Sequence, residues 1–451
     1  MRAIKKKSLQ MSTRAYYRNF TFTDDENAKG RVLKKRTSTH CICQDGALLC
    51  APEWEKILKP NGTPLHCNMS NISGFGMLRL QNDDLGDTYH DLPYVTTTTG
   101  GFYLFVEELN AFFTAAINQG KIFPFVAMGK NEKKVVLCTE GQLLFINPDG
   151  SQEVIISEGV LPAGAIFKHR LFAAMKGATL KYSEAESFGD FDETKGAHEI
   201  RFPNMGGDIV ALKVYDDALY VFFENGLMRL EVRGDVSDFY AEKLDYAGGT
   251  IYPTTVCVGE DGLYFLSSSG IQRLKGKRVE RLDLTIDTPS APSGKESCSV
   301  YNGQPIFQYS KENGMNVVIL VNRDRKSVTP LREIMIVSPG PDGSVLLMDK
   351  YRGIWKWVDD GNFFVEGNFT AYETDFGFTG RKTVRKLRFE GKGELKVVVQ
   401  SGKRRWARLL TFVNGFAEAE LSERGESFVF IFNLKRKSKL FKMHVEFETV
   451  K

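Results

Sequence analysis

Apolar residues in this chain fall in short runs, alternating or continuous, each cut off by Gly, Asn, Asp, Ser or Pro. That is the pattern of β-strands joined by tight turns. "LYVFFENGLMRLEV" (219–232) shows it most clearly, with two apolar runs around an Asn225-Gly226 turn. The same shape returns as "LYFLSSSGIQRL" (263–274). Aligning such hairpins on the turn glycine gives a ladder of Gly141, Gly177, Gly226, Gly270, Gly314 and Gly353, with steps of 36, 49, 44, 44 and 39 residues. A period near 40 with about four strands per repeat is the spacing of a β-propeller blade. Within 219–223, Leu219, Val221 and Phe223 alternate with Tyr220 and Phe222, so both faces of the strand are apolar, as a sheet packed between two others requires. "CICQDGALLC" (41–50) and "GFYLFVEELNAFFTA" (101–115) extend the ladder less regularly, and 51–98 reads as an insertion or a partial blade. Helix is expected, if anywhere, at 50–60 and 105–120, and the second of these also alternates well enough to be strand.

From Asn368 onward the character changes to six short strands with period-two alternation. The expected organisation is therefore all-β: a basic arm and leading strand at 1–40, a β-propeller of six or seven blades at 41–367, and a C-terminal β-sandwich at 368–451. A pair of β-sandwiches with evenly spaced hairpins is the competing architecture.

Charge sharpens this division. The net charge is only +4, but residues 381–451 hold 18 Lys/Arg against 8 Asp/Glu, which leaves the rest of the chain acidic. Arg381, Lys382, Arg385, Lys386, Arg404, Arg405, Arg408, Lys435, Arg436, Lys437 and Lys439 form the basic cluster, the candidate interaction surface. Strung on neighbouring strands they suit an acidic partner protein or a phosphate backbone. The plainer reading is a solvated face whose charges keep strand edges from pairing. Trp406 is the one obvious aromatic for base stacking.

Catalytic signatures are thin. The six histidines lack H-x-x-x-H spacing, and no nucleophile elbow, phosphate loop or dinucleotide fingerprint follows a strand; "TTTTGG" (96–101) lacks the lysine of a phosphate loop. Acidic turns in "YDDALY", "GEDG", "GPDG" and "VDDG" are explained by the backbone needs of tight turns. Cys41, Cys43, Cys50, His66 and Cys67 lie close in sequence, but C-x-C is not the knuckle that wraps zinc, so they read as small buried side chains. A two-residue turn at Asp45-Gly46 would set Cys41 opposite Cys50 and Cys43 opposite Leu48, leaving a disulfide as an alternative. No catalytic, cofactor or metal residue is assigned. Seven scattered cysteines point to a reducing compartment, and the absence of any apolar run of membrane length, or of one after the basic start, predicts neither anchor nor secretion signal.

"HRLFAAMKGATLKYSEAESFGDFDE" (169–193), continued by "DIVALKVYDDALYVFFENGLMRLEV" (208–232), resembles a recurrent blade of bacteriophage tail proteins. "YETDFGFTGRKTVRKLRFEGKGELKVVV" (372–399) is similar to their C-terminal β module, and "AKGRVLKKRTST" (28–39) to the strand leading into their first blade. The proteins meant are tail nozzle and tail-hub components of short-tailed phages and prophages. The resemblance implies a non-enzymatic virion subunit, assembled in the host cytoplasm as a ring, by resemblance a hexamer, around the DNA exit channel. Its partners would be copies of itself and neighbouring tail, adaptor or fibre proteins, with genomic DNA passing transiently. The alternatives are a glycan-binding or glycan-hydrolysing tail propeller, which needs two carboxylates across a cleft, and a nucleic-acid-binding scaffold using the basic module.

Overall fold

The computed structural model describes residues 13–23, 31–44, 46–50, 53–81, 89–107, 109–118, 120–128, 133–147, 151–232, 238–284, 286–322, 328–358, 366–435 and 438–450. Among them there is no α-helix, only strands and two short 3-10 turns. Both segments considered for helix are extended: Glu53–Lys56 is a strand, and Gly101–Val106 and Ala111–Ile117 are the two strands of a hairpin. The chain divides into two compact units, residues 55–321 with 333–358, and residues 1–54 with 322–332 and 359–451.

The larger unit has a β-propeller arrangement of antiparallel four-stranded meanders. In each hairpin of the ladder, the glycine lies between the second and third strands of its meander. Gly141, Gly226 and Gly270 begin the third strand, while Gly177, Gly314 and Gly353 lie in the turn just before it. The hairpin Ala218–Phe223 and Gly226–Val232 behaves as its alternation predicts. Leu219, Val221 and Phe223 join one apolar cluster with Phe172 and Tyr182, whereas Tyr220 and Phe222 join another with Phe265 and Leu274. One sheet of seven strands is two meanders sharing the 16-residue strand Gln152–Phe167, whose first part pairs with Gly141–Ile146 and whose second part pairs with Arg170–Met175. The register breaks between Val160 and Gly164, so the strand turns from one sheet into the next there.

Residues 72–81 and 89–97, within the stretch expected as an insertion or a partial blade, are the first two strands of a regular four-stranded sheet, in line with the second alternative. Two glycines disguise the first of them: an added Cβ at Gly76 would lie 2.6 Å from the Tyr94 hydroxyl across the ladder. Its hairpin glycine is Gly100 of "TTTTGG", where φ is +83° and a Cβ would sit 1.7 Å from the Asn118 carbonyl oxygen. The string is a blade turn.

The last meander, Ile334–Pro339, Val345–Asp349 and Ile354–Val358, receives an early segment along its outer side. Ile57 N–H donates to Ile354 O (3.1 Å), Ile354 N–H to Leu65 O (3.1 Å), and Cys67 N–H to Arg352 O (3.0 Å). The turn beneath is locked by Asp349: Oδ1 accepts from Tyr351 N (2.8 Å) and Gly353 N (2.9 Å), and Oδ2 from Trp355 Nε1 (2.8 Å). Asp349→Ala is expected to cost about 1–3 kcal/mol, because it leaves these donors without their acceptor. A fall in the urea midpoint, partly recovered in Asp349→Asn, checks it.

The smaller unit is an eleven-stranded sheet that closes almost completely into a barrel. The expected sandwich of 368–451 alone is corrected here, because strands from 13–50 are part of the same sheet. Thr13–Thr23 pairs antiparallel with Lys439–Val450 and, at Thr21–Thr23, parallel with residues 32–34. Phe20, Phe22, Leu33 and Leu48 thus share one core with Phe369, Phe389, Phe432 and Phe447. The N-terminal arm expected at 1–40 is in its described part this strand and the next; residues 1–12 lie outside the described residues. Cys41 faces Cys50 and Cys43 faces Leu48 in the 41–50 hairpin, with Gly46 at φ +79°, and no disulfide joins them.

Candidate functional site

The structure sorts the predicted basic cluster into three groups. The first is engaged inside its own unit. Lys382 is only 1% exposed, and its ammonium donates to the carbonyls of Gly380 (2.7 Å) and Glu426 (2.6 Å). Burial lowers its pKa, against the opposing pull of Asp375 and Glu426. It is a structural cation and is removed from the candidate surface. Arg385 forks onto Glu448 (3.0 and 2.8 Å) and reaches Ser422 (3.1 Å). Lys386 pairs with Glu418 at 2.6 Å, which raises the lysine and lowers the carboxylate. Lys435 pairs with Glu366, whose hydrogen bond holds its ammonium above the ordinary lysine value.

The second group is Arg381, Arg404, Arg405, Arg408 and Lys439, all exposed. Three of these five arrive together on the strand Arg404–Thr411, and among the described residues their side chains have no ion pair or hydrogen bond. Arg404, Trp406, Arg408 and Leu410 share one face. Trp406 and Leu410 pack on the barrel core, which fixes the strand. Arg405, Ala407, Leu409 and Thr411 share the other and are exposed, Leu409 by 55%. Val413 and Phe416, exposed apolar residues of the following turn, continue the patch. The third group, Arg436 and Lys437, lies outside the described residues.

Alternation in "KRRWARLL" makes the Arg-Trp-Arg face readable from the sequence. What no sequence signal gives is that this strand ends the sheet path, or that Leu409 faces solvent.

Chemistry elsewhere is sparse. Among the described residues no group of three or more His, Cys, Asp or Glu side chains is placed to hold a metal. His66 contacts Asn68 (2.9 Å) and the Tyr351 carbonyl. The turn carboxylates are engaged by nearby donors: Asp342 accepts from Ser344 N (3.1 Å) in its own turn and from Lys356 (2.6 Å), and Asp217 accepts from Lys168 (2.6 Å) of another turn. Burial pushes the Asp342 carboxyl up, but these donors together bring it well below the usual range. The acidic pair of "VDDG" lies outside the described residues. A shallow cleft of about 510 Å³ opens at the Asn225-Gly226 turn, lined among others by Asn204, Lys243, Asp245 and Tyr246. Asp245 is its only carboxylate, so it does not hold the pair that glycoside hydrolysis uses. No described helix is long and apolar enough to cross a membrane.

The fold defines an all-β, propeller-containing protein whose most distinctive surface is an edge strand rich in arginine. No family model matches the chain, and no curated protein matches it. Solved structures similar to it are propellers at low identity. The WD40 repeats of RRP9 are 8% identical with a TM-score of 0.43, covering 68% of this chain and 98% of that one. BamB from Moraxella catarrhalis is 12% identical (TM-score 0.41; 72% and 99% covered), and BBS1N in complex with ARL6DN is 10% identical (0.42; 69% and 99%). At these scores the likeness carries no argument about function.

Proposed function

We propose that this chain is a non-enzymatic structural subunit of a bacteriophage tail, a ring-forming nozzle, hub or head-tail adaptor protein. Its propeller, read as seven blades once the shared strand Gln152–Phe167 is divided between two, is the rigid element. Its basic barrel makes contacts to ring neighbours and adjoining tail proteins. The observation that carries this reading is the split in the basic cluster. Arg385, Lys386 and Lys435 are neutralised internally, while Arg404, Arg405 and Arg408 are left together on an exposed edge, in a chain whose remainder is acidic. A surface like that meets an acidic partner and fits heterologous, head-to-tail association. The phage origin is supported by the resemblance of the 169–193 blade and the 372–399 strands. DNA in such a channel is served by non-adhesive walls, which places these arginines at protein contacts.

The test is the assembly state of the full chain. At concentrations of about 0.1 mM, sedimentation velocity and negative-stain microscopy are expected to show closed rings, weakened by salt as screening shortens the reach of the exposed charges. A strict monomer at every concentration and ionic strength sinks the proposal.

A further inference from the structure

We propose that the strand Arg404–Thr411 is an acceptor for β-strand addition, and that its occupant is an extended segment of a partner protein carrying carboxylates at alternate positions. This rests on the reading of the basic barrel as a contact module, not on a tail origin.

The backbone is available. Among the described residues Arg404–Thr411 has one ladder partner, Glu394–Ser401, and stands at the end of the sheet path. Among the described residues the next strand, Phe416–Gly425, turns back at the isolated Val413–Phe416 bridge, comes close to Arg404–Thr411 without forming a ladder with it, and pairs with Lys382–Lys392. Phe412 N–H donates to the Gly393 carbonyl (3.1 Å), which continues the register Thr411–Glu394 by one residue. In an antiparallel ladder bonded and non-bonded pairs alternate, so positions 404, 406, 408 and 410 spend their N–H and C=O groups on the inner neighbour. The backbone groups of Arg405, Ala407, Leu409 and Thr411 then point away from the sheet, and all four residues are exposed.

Edges of this kind are commonly blunted by proline, a bulge, or inward charge. This one has no proline and no register shift, and it exposes Leu409. Its only guard is charge of one sign. A second copy of the strand pairing antiparallel would set arginine against arginine, which is unfavourable. An acidic strand meets the same residues as ligands, because the guanidinium fork suits a carboxylate bidentately. The carboxylates belong at the Arg404–Arg408 end, since Glu418 and Glu420 of the neighbouring strand lie toward the Val413 turn. Leu409 asks for an apolar residue there.

The probe is a labelled synthetic peptide of alternating glutamate and valine, titrated with the full chain and followed by fluorescence anisotropy. Saturable binding is expected, weakened roughly tenfold or more in the double variant Arg404→Glu/Arg408→Glu, which should in turn bind a lysine–valine peptide. Ala407→Pro removes one outward N–H where proline is sterically tolerated, and it should abolish binding with thermal unfolding unchanged. Should that variant fail to fold, N-methylation of alternate peptide residues makes the same test from the other side. Equal binding of the methylated peptide, no binding of the glutamate peptide, or binding of an oligothymidine strand in its place would each overturn the proposal. Rings that form without peptide binding leave the assembly reading intact, and peptide binding by a permanent monomer does the reverse.

Discussion

A chain lacking residues 1–23 is expected to lose the barrel altogether while keeping a folded propeller. Thr13–Thr23 is an interior strand of the barrel sheet, bonded along Thr13–Phe20 to Val450–Met443 and at its end to residues 32–34. Phe22 is 2% exposed and meets Phe432 and Phe369 edge-on at 5.4 and 6.0 Å; Tyr16 stacks on Phe447 at 5.7 Å. Losing a buried phenylalanine costs about 3–5 kcal/mol, and two are lost here, Phe20 with Phe22. Against a typical domain stability of about 5–15 kcal/mol, that leaves little or nothing, before counting the ladder itself. The strands left beside the gap would also present open edges and promote aggregation. Limited proteolysis with mass-spectrometric mapping reads the result: 366–450 should be cut rapidly in the shortened chain and 151–322 should stay protected. Undiminished protection of 366–450 would show that the N-terminal strand is dispensable.

In the propeller, the largest single-residue effect is expected at the packing between successive sheets. Phe222 and Phe265 are both fully buried, on strands of neighbouring meanders, with ring centroids 5.3 Å apart at 78°. Phe222→Ala removes that edge-to-face contact and opens a cavity in a cluster that also holds Tyr220, Leu227 and Leu263. The expected loss is about 3–5 kcal/mol by urea unfolding. A double-mutant cycle with Phe265→Ala should return a coupling of about 0.5–1.5 kcal/mol. Strict additivity would mean the two rings do not support each other. Phe223→Ala, one residue along, acts on the opposite cluster through Phe202 at 5.5 Å and should show no coupling to Phe265.

The repeat was legible because the blade hairpin uses a local code: two apolar runs around a glycine-bearing turn, set by contacts within about a dozen residues. Where side chains of neighbouring strands demanded glycine inside a strand, as Tyr94 does at Gly76, the alternation faded and half of a regular sheet resembled an insertion or a partial blade. The pairing of Cys41 with Cys50 was legible for the same local reason. The barrel was not, because its sheet joins residues 13–23 to 439–450, and nothing in either stretch names the other. The basic cluster was visible as composition only. Lys382 and Arg404 look alike in sequence, yet one is sealed beneath two carbonyls and the other stands in solvent at a sheet edge.

Both units are closed by residues far apart in synthesis. The segment at 57–67 waits for 352–354, and the strand at 13–23 waits for 439–450. At ribosomal speeds of about 5–20 residues per second, the second wait lasts roughly 20–90 s. Throughout it the core that Phe20 and Phe22 enter lacks Met443, Val445 and Phe447. The nascent chain therefore carries an adhesive apolar strand until the 439–450 strand has been made, and its yield depends on whatever shields that strand up to that point.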